Sequence, residues 1–108
     1  LWRIATAPSN GSALTAMLPR GAQWFYDWAG GLIWAVLPAS DDGGAAAVRR
    51  TTAALGGHAT LVRAPVAVRA AVGVFEPQNG ALAGVSKRVK NSFDPKGVLN
   101  PGRMWAGV

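Results

Sequence analysis

Four consecutive residues near the end of the chain, Asn100-Pro101-Gly102-Arg103, place an amide and a guanidinium on either side of a Pro-Gly pair. A short amide both donates and accepts, which suits the polar edge of a planar ring or the backbone around one. Proline fixes φ and glycine admits conformations closed to other residues, so the pair dictates one local path. Pro95 and Gly97 repeat that device upstream, so residues 95–108 read as a stiff, turning tail. The same punctuation would also serve as a simple helix stop with a tail packed back on its own domain. His58, the one histidine, follows Gly56-Gly57 at a strand entrance. It can act as an acid/base in a site completed by another domain, or it can be a histidine hydrogen-bonded to nearby backbone. Arg3 and Arg63 occupy odd positions in the first and fourth predicted strands, and alternation would put both on one face. Two guanidinium groups there suit a carboxylate or a phosphate, solvent exposure or pairing with Asp27 being the other account.

The composition limits what those groups can be part of. Half of the 108 residues are apolar, five are Trp and 15% are charged. That is material for one core at the commonest domain size, and the low charge leaves apolar surface for a partner. The absence of Cys excludes disulfides, thiolate nucleophiles and Cys-ligated metal centres, and weakly favours a cytosolic setting. One His and five scattered carboxylates cannot build a metal site of three or four ligands, so no metal is expected. The longest uncharged runs, Ile4–Pro19 and Trp28–Ser40, are too short and too broken by Pro and Gly to insert in a bilayer. The net charge of +6 is uneven, with seven of eleven basic and two of five acidic residues in 63–108. Such an excess suits nucleic acid, anionic lipid, a solvated helix face or the wall of an anion site alike.

The elements that must position these residues follow from pattern and punctuation. Leu1–Ala7 reads as a strand stopped by Pro8, and Ser9 or Asn10 caps a short helix through Leu18. Gln23–Trp28 and Leu32–Leu37 flank Ala29-Gly30-Gly31 as a hairpin. Trp24, Tyr26 and Trp28 alternate to one face, with Trp34 expected to join them across the hairpin, while Phe25 and Asp27 take the other. Gly43–Leu55 is helical with Asp41-Asp42 at its start, Gly56-Gly57 ends it, and His58–Ala64 is a fourth strand. The order is the ferredoxin-like βαββαβ of an α+β fold, a four-stranded antiparallel sheet covered by helices on one face. Residues 65–78 form an irregular connection. In 79–94, Leu82, Val85, Val89 and Phe93 line one helix face and leave Lys87, Arg88 and Lys90 outward. We read one domain over 1–108, with a 1–64 core, the connection, the helix, and the 95–108 tail. The opening Leu1-Trp2-Arg3-Ile4 lacks an initiator Met, and the chain is read as part of a longer polypeptide.

The run Phe93-Asp94-Pro95-Lys96-Gly97-Val98-Leu99-Asn100-Pro101-Gly102-Arg103-Met104 resembles the C-terminus of FAD-linked oxidases of the vanillyl-alcohol-oxidase superfamily. With Leu1-Trp2-Arg3, Asp27-Trp28-Ala29-Gly30-Gly31 and Gly56-Gly57-His58-Ala59-Thr60, it extends the resemblance over nearly the whole chain, most closely to the FAD-binding E subunits of bacterial glycolate oxidases. The resemblance implies a C-terminal cap, or substrate, domain whose tail returns to a larger N-terminal FAD-binding domain absent here. It puts Asn100 close to the FAD, with Pro101, Gly102 and Arg103 shaping the approach. Other glycolate oxidase subunits are the implied partners, in the cytoplasm or at the inner face of the membrane through those subunits. Relatives that oxidise 2-hydroxy acids carry His-x-Gly-Asp-Gly-Asn-x-His and a later Glu-His-Gly. This chain has neither, which favours an accessory flavoprotein or electron-transfer role and leaves the chain inactive by itself.

The alternative of the same fold is an RNA-binding, regulatory or dimerising module. Leu32-Ile33-Trp34-Ala35-Val36-Leu37 lacks the Lys/Arg-Gly-aromatic pattern of an RNA-binding strand, and the cations sit on the last helix, so no nucleic acid is expected as a partner.

Overall fold

In the computed structural model, which describes residues 1–105 and 108, the alternation of Trp2-Arg3-Ile4-Ala5 becomes strand β1, with Trp2 and Ile4 buried and Arg3 and Ala5 half-buried. Strands β2 (Gln23–Asp27), β3 (Leu32–Val36) and β4 (His58–Leu61) join it antiparallel, in the order β2-β3-β1-β4. Helix α1 (Gly11–Ala16) follows β1 and helix α2 (Ala45–Leu55) follows β3, which gives the expected α+β, ferredoxin-like order. Residues opposite each other on antiparallel strands share a face. Trp2 lies opposite Ala35 and Leu61, and Ile4 opposite Ile33 and Ala59. These six side chains, with Leu14 of α1 and Val48 of α2, form the core. The buried Trp2 indole donates from Nε1 to the Gly43 carbonyl at 2.8 Å, so the largest core side chain keeps its polar atom satisfied.

Local signals shift several boundaries. A 3-10 turn, Pro8–Asn10, precedes α1, and Asn10 does not cap it. Its amide donates instead to the Leu55 carbonyl at 2.8 Å, tying the start of α1 to the end of α2. Helix α2 begins two residues later than expected because Gly43 and Gly44 take left-handed φ values of 60° and 78°. Asp42, just outside, accepts from the Ala46 and Gly44 amides, each at 2.9 Å, and those donors hold its carboxyl below the ordinary pKa. After α2, a Cβ on Gly57 would stand 2.4 Å from the Ala5 carbonyl oxygen, so glycine is required where the chain turns into β4.

The irregular connection expected over 65–78 is ordered. Val66–Ala71 forms helix α3, a six-residue element too short to display a helical period, and it buries Val68 in the core. The chain then runs along the outer edge of β4. Leu61 N donates to the Val74 carbonyl at 2.8 Å, and Ala59 N donates to Glu76 Oε2 at 2.8 Å. Arg49 of α2 closes this flap. Its guanidinium lies 5.1 Å from the Trp2 ring centroid and donates to Glu76 Oε2 (2.5 Å) and to the carbonyls of Ala59, Gly73 and Phe75 (2.7–3.0 Å). The pair is about four-fifths buried on the Arg49 side and three-quarters on the Glu76 side, and Thr52 Oγ1 donates to Glu76 Oε1 at 3.2 Å. Removing one member leaves the other charge short of partners. Arg49→Met is therefore expected to cost about 2–3 kcal/mol in urea unfolding, the lower end for breaking a buried pair because both groups keep some solvent. A loss below about 0.5 kcal/mol, the size of a typical surface substitution, would show that the flap contributes nothing.

Residues Leu1–Glu76 and Pro77–Val108 form two compact units. In the second, helix α4 (Gly80–Phe93) starts as its sequence indicates, with Asn79 Oδ1 accepting from Leu82 N at 2.9 Å. Its apolar stripe of Leu82, Val85, Val89 and Phe93 remains 45–84% exposed. Lys90 is not turned outward as expected. It is held at 2.7 Å on Asp94, with its side chain only 20% exposed.

Candidate functional site

The tail takes its shape from Asp94, a residue 5% exposed at the end of α4. Asp94 Oδ1 accepts from Val98 N at 3.0 Å, and Oδ2 accepts from Leu99 N at 2.8 Å and from Lys90 Nζ at 2.7 Å. Lys90 Nζ donates in addition to the Leu99 carbonyl. Pro95 stops the helix, and Gly97, at φ 63°, supplies the left-handed turn that brings two amides back onto the carboxylate. Lys90 above all, then the Leu99 and Val98 amides, hold the Asp94 carboxyl down to about 2 against the opposing effect of burial. Sequence reasoning missed Asp94. The signal was present in Asp-Pro-x-Gly, the usual composition of an aspartate-capped turn.

Beyond this knot, Asn100 has a left-handed backbone, φ 46°, and Pro101-Gly102 turns the chain so that Gly102 N donates to the Val108 carbonyl at 2.8 Å. A left-handed φ on a residue other than glycine is costly, asparagine being among the residues that tolerate it. Asn100 and Arg103 are exposed, and the Asn100 amide makes no hydrogen bond among the described residues. Pro101 and Gly102 border a hollow of about 560 Å³ whose other walls include Lys90, Asn91 and Lys96. A ligand there meets the Lys96 ammonium and the Asn91 amide beside Gly102, with the Lys90 ammonium already held by Asp94, whose carboxylate borders the same hollow.

The sheet provides a second group. On the face away from the helices, Arg3 of β1 lies opposite Trp34 of β3 and Thr60 of β4. Trp34 lies opposite Phe25 of β2, and the two rings stack at 6.3 Å with a 19° tilt. His58 shares this face opposite Ala5 and is exposed. Arg3 and Arg63, expected on one face, are not brought together. The register that puts Arg3 against Thr60 gives position 63 the parity of Leu61, and β4 stops at Leu61, leaving Arg63 exposed beyond the strand. Trp34 likewise joins Phe25, not Trp24 and Tyr26, whose partners are Ala35 and Ile33. Trp28 leaves the strand for a 3-10 turn with φ 49°. The open face thus gathers Arg3, His58 and an aromatic pair. Among the described residues no group of three or more His, Asp or Glu side chains lies close enough to hold a metal ion. None of the described helices is long and apolar enough to cross a membrane.

No protein-family profile and no solved structure matches the chain. It is 34% identical over 106 residues, 98% of its own length, to the glycolate oxidase subunit GlcE of Escherichia coli strain K12. The chain spans about a quarter of that relative, 26% of its length. The similarity therefore extends through the sheet, the hairpin and both sheet-covering helices, and over nearly its whole length the chain is similar to about a quarter of that subunit.

Proposed function

We propose that the chain is the cap domain and returning C-terminal tail of an FAD-dependent subunit of a glycolate oxidase, serving an accessory flavoprotein or electron-transfer role in 2-hydroxy acid oxidation. The observation that carries this reading is the tail: a buried aspartate fixes its path and holds Asn100 exposed, in a left-handed conformation, with an amide that makes no hydrogen bond among the described residues. These residues fit a flavin. An amide that both donates and accepts matches the alternating donors and acceptors of the ring edge, and Gly102 allows an approach that a Cβ would obstruct. Asn100 would hold the ring, Pro101 and Gly102 would set its distance, and Arg103 would offer a cation to its phosphates or substituents. FAD, when bound, supplies the electron acceptance that no side chain of this chain can supply.

On the open sheet face, Arg3 would hold a carboxylate, with the Phe25–Trp34 stack as an apolar wall beside it. His58 is the imidazole on that face, opposite Ala5, and is the acid/base group of the reading. The exposed stripe of α4 is apolar surface for the FAD-binding domain, and other glycolate oxidase subunits complete the assembly.

The test is flavin retention by the complete subunit. Asn100→Ala is expected to lower FAD retention roughly tenfold, about the worth of one well-placed hydrogen bond in a shielded site. Unchanged retention together with an unchanged flavin spectrum would remove Asn100 from the site. The 108-residue chain alone is expected to remain colourless after incubation with FAD, and a yellow preparation of it would contradict the division of the flavin site between two domains.

A further inference from the structure

The two edges of the sheet are treated differently. At β4 the outward amides of Ala59 and Leu61 are met by Glu76 and Val74. At β2, the other edge, all five residues are exposed, and among the described residues no strand and no backbone hydrogen bond covers its outer side. Proteins usually blunt such an edge with lysine, proline, a bulge or a cover. Gln23-Trp24-Phe25-Tyr26-Asp27 contains neither lysine nor proline and pairs with β3 residue for residue, without a bulge. Trp24, Phe25 and Tyr26 are 43%, 60% and 45% exposed.

From this we infer that β2 is the site of edge-to-edge pairing with a second copy of the chain, antiparallel about a two-fold axis through Phe25, giving one continuous eight-stranded sheet. The argument for a second copy is the strand's self-complementarity. In that register Gln23 faces Asp27 of the second copy, so an amide donor meets a carboxylate at each end, and Trp24 faces Tyr26 of the second copy, so aromatics meet between. The two Phe25 rings meet on the axis, each backed by its own Trp34 at 6.3 Å and so ordered before association. A slip of two residues sets Asp27 against Phe25 and loses both polar pairs, which makes the register specific. The turn at Trp28 and Ala29, with φ values of 49° and 52°, ends the strand and confines pairing to these five positions.

Five paired residues form an interface at the small end of specific ones, so the dimer dissociates in the range of about 10–100 μM. Sedimentation equilibrium of the 108-residue chain reads this directly. Phe25→Lys sets two ammonium groups on the axis and is expected to weaken the dimer about tenfold or more. Gln23→Lys sets an ammonium opposite Asp27 of the second copy at both ends and is expected to tighten it about threefold at low salt, the gain vanishing in 1 M NaCl. Gln23 is exposed and outside the core, so the second variant keeps the test valid if the first perturbs folding. A chain that stays monomeric to about 1 mM, or a dimer indifferent to both substitutions, would overturn the inference. Pairing through β2 goes beyond the flavin reading, since a colourless chain that dimerises, or a flavin-loaded one that does not, separates the two.

Discussion

Trp2→Ala is expected to cost the sheet unit about 3–5 kcal/mol, the range for truncating a fully buried tryptophan. Trp2 is 0% exposed and lies between Ala35 and Leu61 on the two neighbouring strands, so neither can close over the gap without breaking the register. The substitution also removes the indole donor from the Gly43 carbonyl and the ring on which Arg49 rests. Since domains of this size are stable by about 5–15 kcal/mol, the loss takes a large share of the total and leaves a partly unfolded population at 37 °C. Thermal unfolding of the chain followed by near-ultraviolet circular dichroism checks it. Trp2→Phe separates the contributions, because it keeps most of the packing and loses the hydrogen bond. A midpoint within a degree or so of the native chain for Trp2→Ala would mean that Trp2 is not the keystone of this core.

The second large effect is expected at Asp94. Asp94→Ala deprives Val98 N, Leu99 N and Lys90 Nζ of their common acceptor, so the turn after α4 loses what defines it. Amide exchange at Val98 and Leu99 should rise to the rate of an unstructured peptide, and in the complete subunit FAD retention should fall by roughly tenfold or more, because a misplaced Asn100 would lose the proposed flavin contact as surely as a missing one. The same carboxylate gives a pH dependence of definite sign. Its folded pKa, about 2, lies below the ordinary 3.8, so the folded chain binds that proton less readily than the unfolded one. The stabilisation of the turn is fully present above the ordinary value and is lost as pH falls from there through about 2. An acid titration of the Val98 and Leu99 amide signals should show that transition, and Asp94→Asn should lack it. Protection that persists unchanged in Asp94→Ala would mean that Pro95 and Gly97 suffice to shape the tail.

Much of the sheet unit was legible because its signals are local. Trp2 and Ile4 alternate with Arg3 and Ala5, a Gly-rich break separates β2 from β3, and Gly56-Gly57 follows Leu55. Helix α4 showed a clear stripe and stop. What was hidden depends on distance or on register. Arg49 and Glu76 lie 27 positions apart, and nothing in the sequence around either announces the other. Helix α3 is shorter than two turns and left no period to detect. The faces assigned to Arg63 and Trp34 failed for one reason: parity along a strand carries across a sheet only when the register is known. That register is set here by where β4 ends and by Asp27 lying opposite Leu32. At the candidate site, the sequence pointed to Asn100–Arg103 and passed over Asp94, because the residue that aims a motif need not lie inside it.

The flap over β4 has a consequence for synthesis. β1 is central, so its hydrogen bonds wait for β3 and then for β4, whose register joins Trp2 to Leu61 across most of the unit. Val74 and Glu76, which close the outer side of β4, are the last of this unit to be made. A nascent chain from which Leu61 but not Val74 has emerged would therefore carry a sheet open at both margins, and the span before Glu76 leaves the ribosome is when this unit most needs a chaperone.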